Sequence, residues 1–367
     1  MADTDTLSTT PLDALHRELG ARMVPFAGYA MPVQYPAGII AEHLHCRAQA
    51  ALFDVSHMGQ AKLSGPGGAA ALERLVPGDI LGLKPFRQRY TLLTGADGGI
   101  LDDLMVANFA DHLFLIVNAG RKHDDYAHLA AHLPADVHLE VLDRALLALQ
   151  GPQAATVLGR LCPDAAALPF MAVAALSIGG IGCLVSRSGY TGEDGFEISV
   201  PADRAEAFAR RLLAEPEVAP AGLGARDSLR LEAGLCLHGN DIDAGTNPVE
   251  AGLAWVIGKR RKMGWDFLGG DAIRQALDGG PARRRVGLAP EGRAPARAGT
   301  PILDPGGAEV GAITSGGFSP SLNAPIAMGY VRADLAADGT ALSLLVRGRP
   351  LPARIVPMPF VPHHYAR

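Results

Sequence analysis

Short runs of alternating apolar and polar residues, broken by glycine and proline, recur along most of the chain, and fewer segments carry apolar residues at helical spacing. A period of two puts successive side chains on opposite faces of a strand, whereas a period near 3.6 gathers them on one helix face. Pro11 to His16 reads as a short helical turn, and Gly20 to Tyr29 as a strand interrupted by proline and glycine. An amphipathic helix follows around Ile39 to Ala51, ending in a strand-like run, Ala51 to Gly59, that carries Asp54 and His57 in a turn-prone setting. A lone Asp and His of this kind make a hydrogen-bonded structural pair more often than a catalytic dyad.

Between Ala61 and Leu133 the pattern predicts a strand, a helix from Ala69 to Val76, a strand from Arg89 to Thr94, a turn, a strand through Asp102 and Asp103, a strand from Leu113 to Asn118, and a helix from Arg121 to Leu133. That order makes an α+β unit on an antiparallel sheet. In the last helix Tyr126, Leu129 and Leu133 share the core face. His128 and His132 stand at i, i+4 beside it, without the acidic residue that would make them a zinc motif, so they read as solvated. Further on come strands around a Gly151-Pro152 turn, a glycine-rich hairpin from Ser186 to Val200, a helix from Ala202 to Ala214, and a helix entered through Gly222 and Gly224 with Asp227 and Ser228 in its first turn. Asp278 to Pro281 is a plausible boundary, after which Arg285 to Phe360 is all short strands and turns, the signature of a small β-barrel or jelly roll.

Composition narrows the classes. A chain of 367 residues is long enough for two or three domains, and 44 glycines with 27 prolines suit many turns rather than a helical bundle. Four widely spaced cysteines give neither a zinc motif nor a disulfide framework and fit a reducing compartment, which we read as the cytoplasm. A net charge of -5 with interspersed signs gives no field for nucleic acid, and no apolar run is long enough for a membrane span. Met1 to Thr10 resembles neither a signal nor a transit peptide and reads as a frayed tail. Glycine-rich nucleotide loops and a nucleophile elbow are missing, so a nucleotide-binding or triad enzyme is not expected.

Chemistry concentrates in Gly98 to Val106, where two adjacent aspartates sit in an apolar strand straight after a glycine turn. Asp103 shares a face with Leu101 and Met105, and Asp102 with Leu104 and Val106, so the two carboxylates cannot do the same job. One closes the turn or meets solvent; the other is directed across the sheet, where burial would perturb it. Plain turn chemistry running into a strand explains the same residues. In the hairpin, Glu197 faces away from Phe196, Ile198 and Val200; it meets water or, if that face lines a cavity, pairs with adjacent N–H donors of a ring edge. Arg226 stands at the mouth of the glycine loop, where a salt bridge to a neighbouring carboxylate is the ordinary reading.

Five segments in this order carry a resemblance: Phe53 to Met58, Gly98 to Leu104, Gly189 to Gly195, Gly222 to Asp227 and Ile313 to Gly316. Together, from Thr10 to Tyr365, they resemble the T-protein family of the glycine cleavage system, the tetrahydrofolate-dependent aminomethyltransferases. The resemblance implies an α+β fold of three domains in a cloverleaf, with mostly antiparallel sheets, a C-terminal β-barrel or jelly roll and a central folate channel. The division expected is 1–50 with 140–278, then 51–139, then 279–367. It implies Asp103 as the catalytic carboxylate near N5 of the pterin, Glu197 at the pterin's amino edge, and Arg226 and Tyr365 as further folate positions. Tyr190, Met58, Tyr90 and Asn118 would line the site, and Asp102 would be structural.

The implied reaction moves a methylene carbon from the aminomethyl-lipoyl arm of H-protein to tetrahydrofolate as co-substrate, releasing ammonia, 5,10-methylenetetrahydrofolate and dihydrolipoyl H-protein, with no metal. The expected partners are lipoylated H-protein and tetrahydrofolate, with neither nucleic acid nor membrane. A carboxylate beside the attacking amine is worth about 100-fold to 10,000-fold. Three positions depart from the family's commonest residues: Tyr29 for tryptophan and His238 for tyrosine, both expected behind the site, and Ala107 for tyrosine, expected to alter folate affinity. The rivals are a folate-binding relative of the same fold, which would keep its cysteine where Ser188-Gly189-Tyr190 stands or add a flavin domain, and a non-catalytic carrier. The basic run Lys259 to Lys262 is a further expectation, as a dock for H-protein or a polyglutamate tail.

Overall fold

A computed structural model describes residues 7–366, and the first six residues of the expected tail lie outside it. The rest of that tail is not frayed: Ser8 bridges to Tyr29, and buried Thr10 donates its hydroxyl to Asp54 at 2.6 Å. Among the described residues the strands form a hairpin, two open sheets and a closed barrel. The hairpin pairs Arg22–Phe26 with Tyr29–Gln34 through Ala27 and Gly28, both at positive φ, which suits a tight two-residue turn.

The six-stranded sheet runs Val173–Ile178, Ile181–Ser186, Gly195–Pro201, Arg144–Gln150, Ala50–Asp54 and Val218–Pro220. Its last pair is parallel and the others antiparallel. One face, with Leu147, Leu149, Phe196, Ile198 and Val200, packs on Val157, Leu158, Phe208 and Leu212 from the helices Ala154–Leu161 and Ala205–Leu213. The other face presents Ala51, Phe53, Leu146 and Ala148 to Phe114 and Ile116 of the second sheet and to Ala225 and Leu229 of the helix Leu223–Glu232.

The five-stranded sheet runs Arg87–Thr94, Ile100–Asn108, Leu113–Val117, Gly59–Ser64 and His138–Val141, antiparallel throughout. Leu104 and Val106 pack under the helices Gly68–Glu73 and Lys122–His132 through Leu72 and Leu129. The barrel closes in the order Arg283–Pro290, Ala324–Arg332, Glu309–Ser319, Pro301–Leu303, Ala341–Val346 and Arg349–Val356, so the last region is a barrel rather than a jelly roll. The fold class is therefore the expected α+β arrangement with a C-terminal barrel.

Two buried ionic clusters join the barrel to the helix Leu223–Glu232. Arg230 bonds Asp241 at 2.7 Å and Ser315 at 2.9 Å, and Asp241 accepts from both Thr314 and Ser315. Glu232 accepts from His43, Arg47, Ser319 and Ser321. Two expectations fail here. Asp54 is partnered by His16 at 2.8 Å rather than by His57, because the Ser56 amide bonds Asp54 and turns the chain away before the ring is reached. The helix begins at Leu223, so Asp227 and Ser228 stand in its second turn; Gly222 and Gly224 pack against Val33 and Ile39 where a Cβ would clash.

Candidate functional site

A cavity of about 1870 Å³ opens where the two sheets, the helix Leu223–Glu232 and the barrel meet. That exceeds the roughly 300–1,000 Å³ of most small-molecule pockets and leaves room for more than one reacting group. Met58, Tyr90, Asp103, Asn118, Tyr190, Glu197, Arg226 and Tyr365 all line it. Residues far apart in sequence thus share one wall because three layers contribute an edge each.

Asp103 reaches the cavity by strand alternation. Gly98 takes φ 84°, and a Cβ on Gly99 would clash with the Ala244 carbonyl, so glycine is required where the chain enters the strand. Asp97 closes that turn by accepting from the Gly99 amide at 3.1 Å. Asp102 neither closes the turn nor meets solvent: it is fully buried on the helix-covered face. Its oxygens accept from the Asn118 amide N–H at 3.1 Å and from Asn118 Nδ2 at 2.9 Å. The same Nδ2 donates to Asp103 Oδ1 at 2.7 Å. Tyr90 pairs with Met105 across the strands, a diagonal neighbour of Asp103 on the cavity face. Burial and the adjacent Asp102 push the Asp103 carboxyl up to about 6, against the opposing pull of His238, Tyr90 and Asn118. An acid so poised gains and loses a proton near neutral pH.

Glu197 and Arg226 form the second pole. Glu197 faces the cavity while Phe196 and Ile198 enter the core, and Ser188 donates to it at 3.3 Å. Burial raises its carboxyl, opposed by Arg226 and Ser188. Arg226 lies over the Tyr190 ring at 4.8 Å, and its buried Nη1 has no hydrogen-bond partner among the described residues. The ordinary salt bridge fits Arg230 instead, which pairs with Asp227 and Asp241. Burial lowers Arg226, with Glu197 and Tyr190 acting against that. Tyr365 stacks on Phe170 at 4.6 Å between ring centroids, and burial raises its phenol to about 12.

The three departures from the family's commonest residues land in different places. Tyr29 does sit behind the site, its hydroxyl accepting from Lys122 at 2.6 Å. His238 does not: it lines the cavity with Nδ1 3.6 Å from Asp102. Ala107 packs with Phe109 and Phe114 outside the cavity lining, because beyond Met105 the strand passes under the six-stranded sheet. Within the basic run Arg260 pairs with Glu73 and Asp79 and buried Arg261 with Glu73 and Asp266, while Lys259 and Lys262 are exposed.

Sequence reading missed Trp255, which stacks on Tyr90 at 5.7 Å at the exposed rim, and His57, which lines the cavity and is pushed by burial down to about 4. Tryptophan outside any regular strand or long helix was the available signal for the first. The rings of His128 and His132 lie 4.5 Å apart, tilted by 44°, and among the described residues no cluster of metal ligands occurs. Among the same residues no helix is long and apolar enough to cross a membrane.

The profile described as the GCVT N-terminal domain matches residues 12–261, and that of the glycine cleavage T-protein C-terminal barrel domain matches 283–362. Two relatives named aminomethyltransferase, mitochondrial, are similar over nearly the whole chain. The Gallus gallus protein is 53% identical over 98% of this chain and 94% of its own, and the Homo sapiens protein 49% over 98% and 92%. The crystal structure of the glycine cleavage system aminomethyltransferase T from Bartonella henselae superposes with a TM-score of 0.93 at 43% identity, covering 98% of this chain and all of that one. The cytoplasmic expectation is corrected by these relatives, which are named mitochondrial. The four cysteines are buried and unpaired.

Proposed function

Because this chain belongs to the glycine cleavage T-protein family of aminomethyltransferases, we propose that it moves the methylene carbon of an aminomethyl-lipoyl arm on H-protein to tetrahydrofolate. The carrying observation is Asp103: a carboxyl raised to about 6, held by Asn118, and turned into a cavity large enough for two substrates. The residues suit the folate. Arg226 has a buried guanidinium nitrogen without a partner among the described residues, and Glu197 has acceptor capacity that Ser188 alone does not fill. A ring carrying an amino group, adjacent N–H donors and a carbonyl answers both needs.

Tetrahydrofolate brings the amine that takes up the carbon. Glu197 and Arg226 bind and orient it, Tyr190 and Tyr365 give apolar faces, and Met58 and Tyr90 line the walls. Asp103 supplies negative charge where the amine becomes cationic as it forms its new bond, and is poised to take the proton then released. Asn118 fixes the carboxylate's direction. The carbon exchanges its bonds to the arm's sulfur and to its amino nitrogen for bonds to two folate nitrogens, whose protons go to the departing groups: ammonia is released and the arm stays on H-protein as the dihydrolipoyl thiol. We also propose three domains, with the first boundary moved to follow Asp54, since Ala50–Asp54 belongs to the six-stranded sheet.

The test is formation of methylenetetrahydrofolate from aminomethylated H-protein and tetrahydrofolate, with wild type and Asp103→Asn side by side and folate binding measured for both. Turnover in wild type, a loss of about 100-fold or more in the variant and retained binding are expected. Folate binding without turnover in either protein would instead indicate a carrier, a reading the aminomethyltransferase names of the relatives do not favour.

A further inference from the structure

The segment Val361 to Tyr365 lies along the cavity and is tied on two sides. On one side the Val361 amide donates to the Glu232 carbonyl at 3.0 Å, and the His363 ring, through Nε2, to the Ala233 carbonyl at 2.9 Å, at the end of the helix Leu223–Glu232. On the other side His364 bridges to Glu193 in the glycine-rich hairpin. Its amide donates to the Gly192 carbonyl at 2.8 Å, and its Nδ1 lies 3.0 and 3.2 Å from the two Glu193 oxygens. A carboxylate only accepts, so Nδ1 carries the proton of this contact. Successive side chains of an extended run point opposite ways. His363 and Tyr365 accordingly line the cavity while His364 does not, and the Tyr365 ring has Phe170 at 4.6 Å and His363 at 4.8 Å between centroids.

Glu193 is held by the body of the protein without help from His364. It is buried, Arg47 Nη1 donates to it at 2.8 Å, and the same guanidinium holds the Thr191 carbonyl and Glu232 at 2.8 Å each. His43 gives Glu232 a further partner at 3.1 Å, so no buried charge of this cluster depends on the tail. The His364 side chain is 58% exposed, so its contact with Glu193 places the tail rather than filling a core. The hairpin that receives it carries Glu197, and the helix that receives Val361 and His363 carries Arg226. The tail is thus set against the two elements that form the second pole of the cavity. Among the described residues no hydrogen bond holds Tyr365 itself, and the bonds of His364 are the last before it. We propose that His364 is a positioning residue for the folate site: anchored on Glu193, it fixes the tail so that Tyr365 presents its ring to the cavity beside Phe170. The inference rests on the transfer reading above for the identity of the ligand.

The experiment measures tetrahydrofolate Kd, and kcat and folate KM for methylenetetrahydrofolate formation, in wild type, His364→Ala, His364→Asn, Tyr365→Ala and the double variant His364→Ala with Tyr365→Ala. Amide hydrogen exchange of the C-terminal peptide is followed in the full chain of each. Losing one hydrogen bond should raise Kd and KM about threefold to tenfold in His364→Ala, with kcat at saturation unchanged, and speed exchange of the C-terminal peptide by a similar factor. Asparagine places an N–H where the imidazole has Nδ1–H, so His364→Asn should stay close to wild type in both readouts. In the Tyr365→Ala background His364→Ala should weaken binding no further, because a residue that acts through another loses its effect when that other is gone. Four results would each overturn the proposal: an unchanged Kd in His364→Ala, an equal loss in the alanine and asparagine variants, full additivity with Tyr365→Ala, or unchanged exchange of the C-terminal peptide. A wild type that binds no tetrahydrofolate, while exchange rises in the alanine variant and not in the asparagine variant, would overturn the transfer reading and leave His364 supported as the residue that places Tyr365.

Discussion

Glu232 and Asp103 are both buried or half-buried carboxyls near one helix and one cavity, yet they are driven in opposite directions. Burial opposes ionisation of both. Around Glu232 the hydrogen bond and charge of His43 and the hydroxyls of Ser319 and Ser321 overcome that and carry the carboxyl down to about 2, with Arg47 at 2.8 Å. Around Asp103 the first neighbour is another carboxylate, and the opposing donors do not make up the difference. The first cluster is fully answered and joins the barrel to the helix. The second is left under-compensated in a cavity, which is where a proton can move. Placement among partners, not burial, separates the structural acid from the reactive one.

The largest effect expected on this contrast is in rate. Asp103→Asn should lower turnover by about 100-fold to 10,000-fold while folate binding persists, since only the charge facing the developing cation is lost. If binding and turnover fell together, Asp103 would be a wall of the pocket and the contrast would collapse. Glu232→Ala should act on the other quantity. Removing an anion that meets a buried His and Arg leaves them uncompensated, at a cost of about 3–5 kcal/mol of stability. Urea unfolding with activity measured on the folded fraction separates the two: the midpoint should fall while kcat holds.

Arg226→Lys probes the second pole. A lysine keeps the charge but loses the planar fork, so folate Kd should rise by roughly 10-fold to 100-fold with a smaller change in kcat at saturation. A kcat loss without a change in Kd would move Arg226 from binding to chemistry.

These assignments differ in how far sequence could carry them. The faces of the aspartate strand and of the Glu197 strand follow from alternation, and both hold in the structure because each strand has one face sealed by apolar neighbours. The closed barrel was legible from turns recurring without a helical period. The pairing of Asp54 with His16, of Arg230 with Asp241 and of Arg261 with Glu73 was not, because ion pairs spanning 11 to 188 residues leave no local pattern.

The smallest expected effect carries the sharpest sign. A group whose folded value lies above its unfolded one binds more protons when folded, so Asp103 contributes stability below about pH 4 that is lost as pH rises through about 6. Asp103→Asn removes that titration, and the variant should gain on wild type across this interval by about 1 kcal/mol per pH unit at most, then hold a constant margin. Glu232 behaves oppositely: its folded value lies below the unfolded one, so its stabilisation is present above about pH 4.5 and fades as pH falls toward 2. Denaturant midpoints of wild type and Asp103→Asn between pH 4 and 8 measure the difference, since the Glu232 contribution is shared by both proteins and cancels. A variant that is slower by orders of magnitude and yet more stable at neutral pH would identify Asp103 as a site where stability is given up for reactivity. A variant that is less stable at every pH would mean that the Asn118 bond outweighs the repulsion from Asp102, and Asp103 would then join Glu232 among the structural acids.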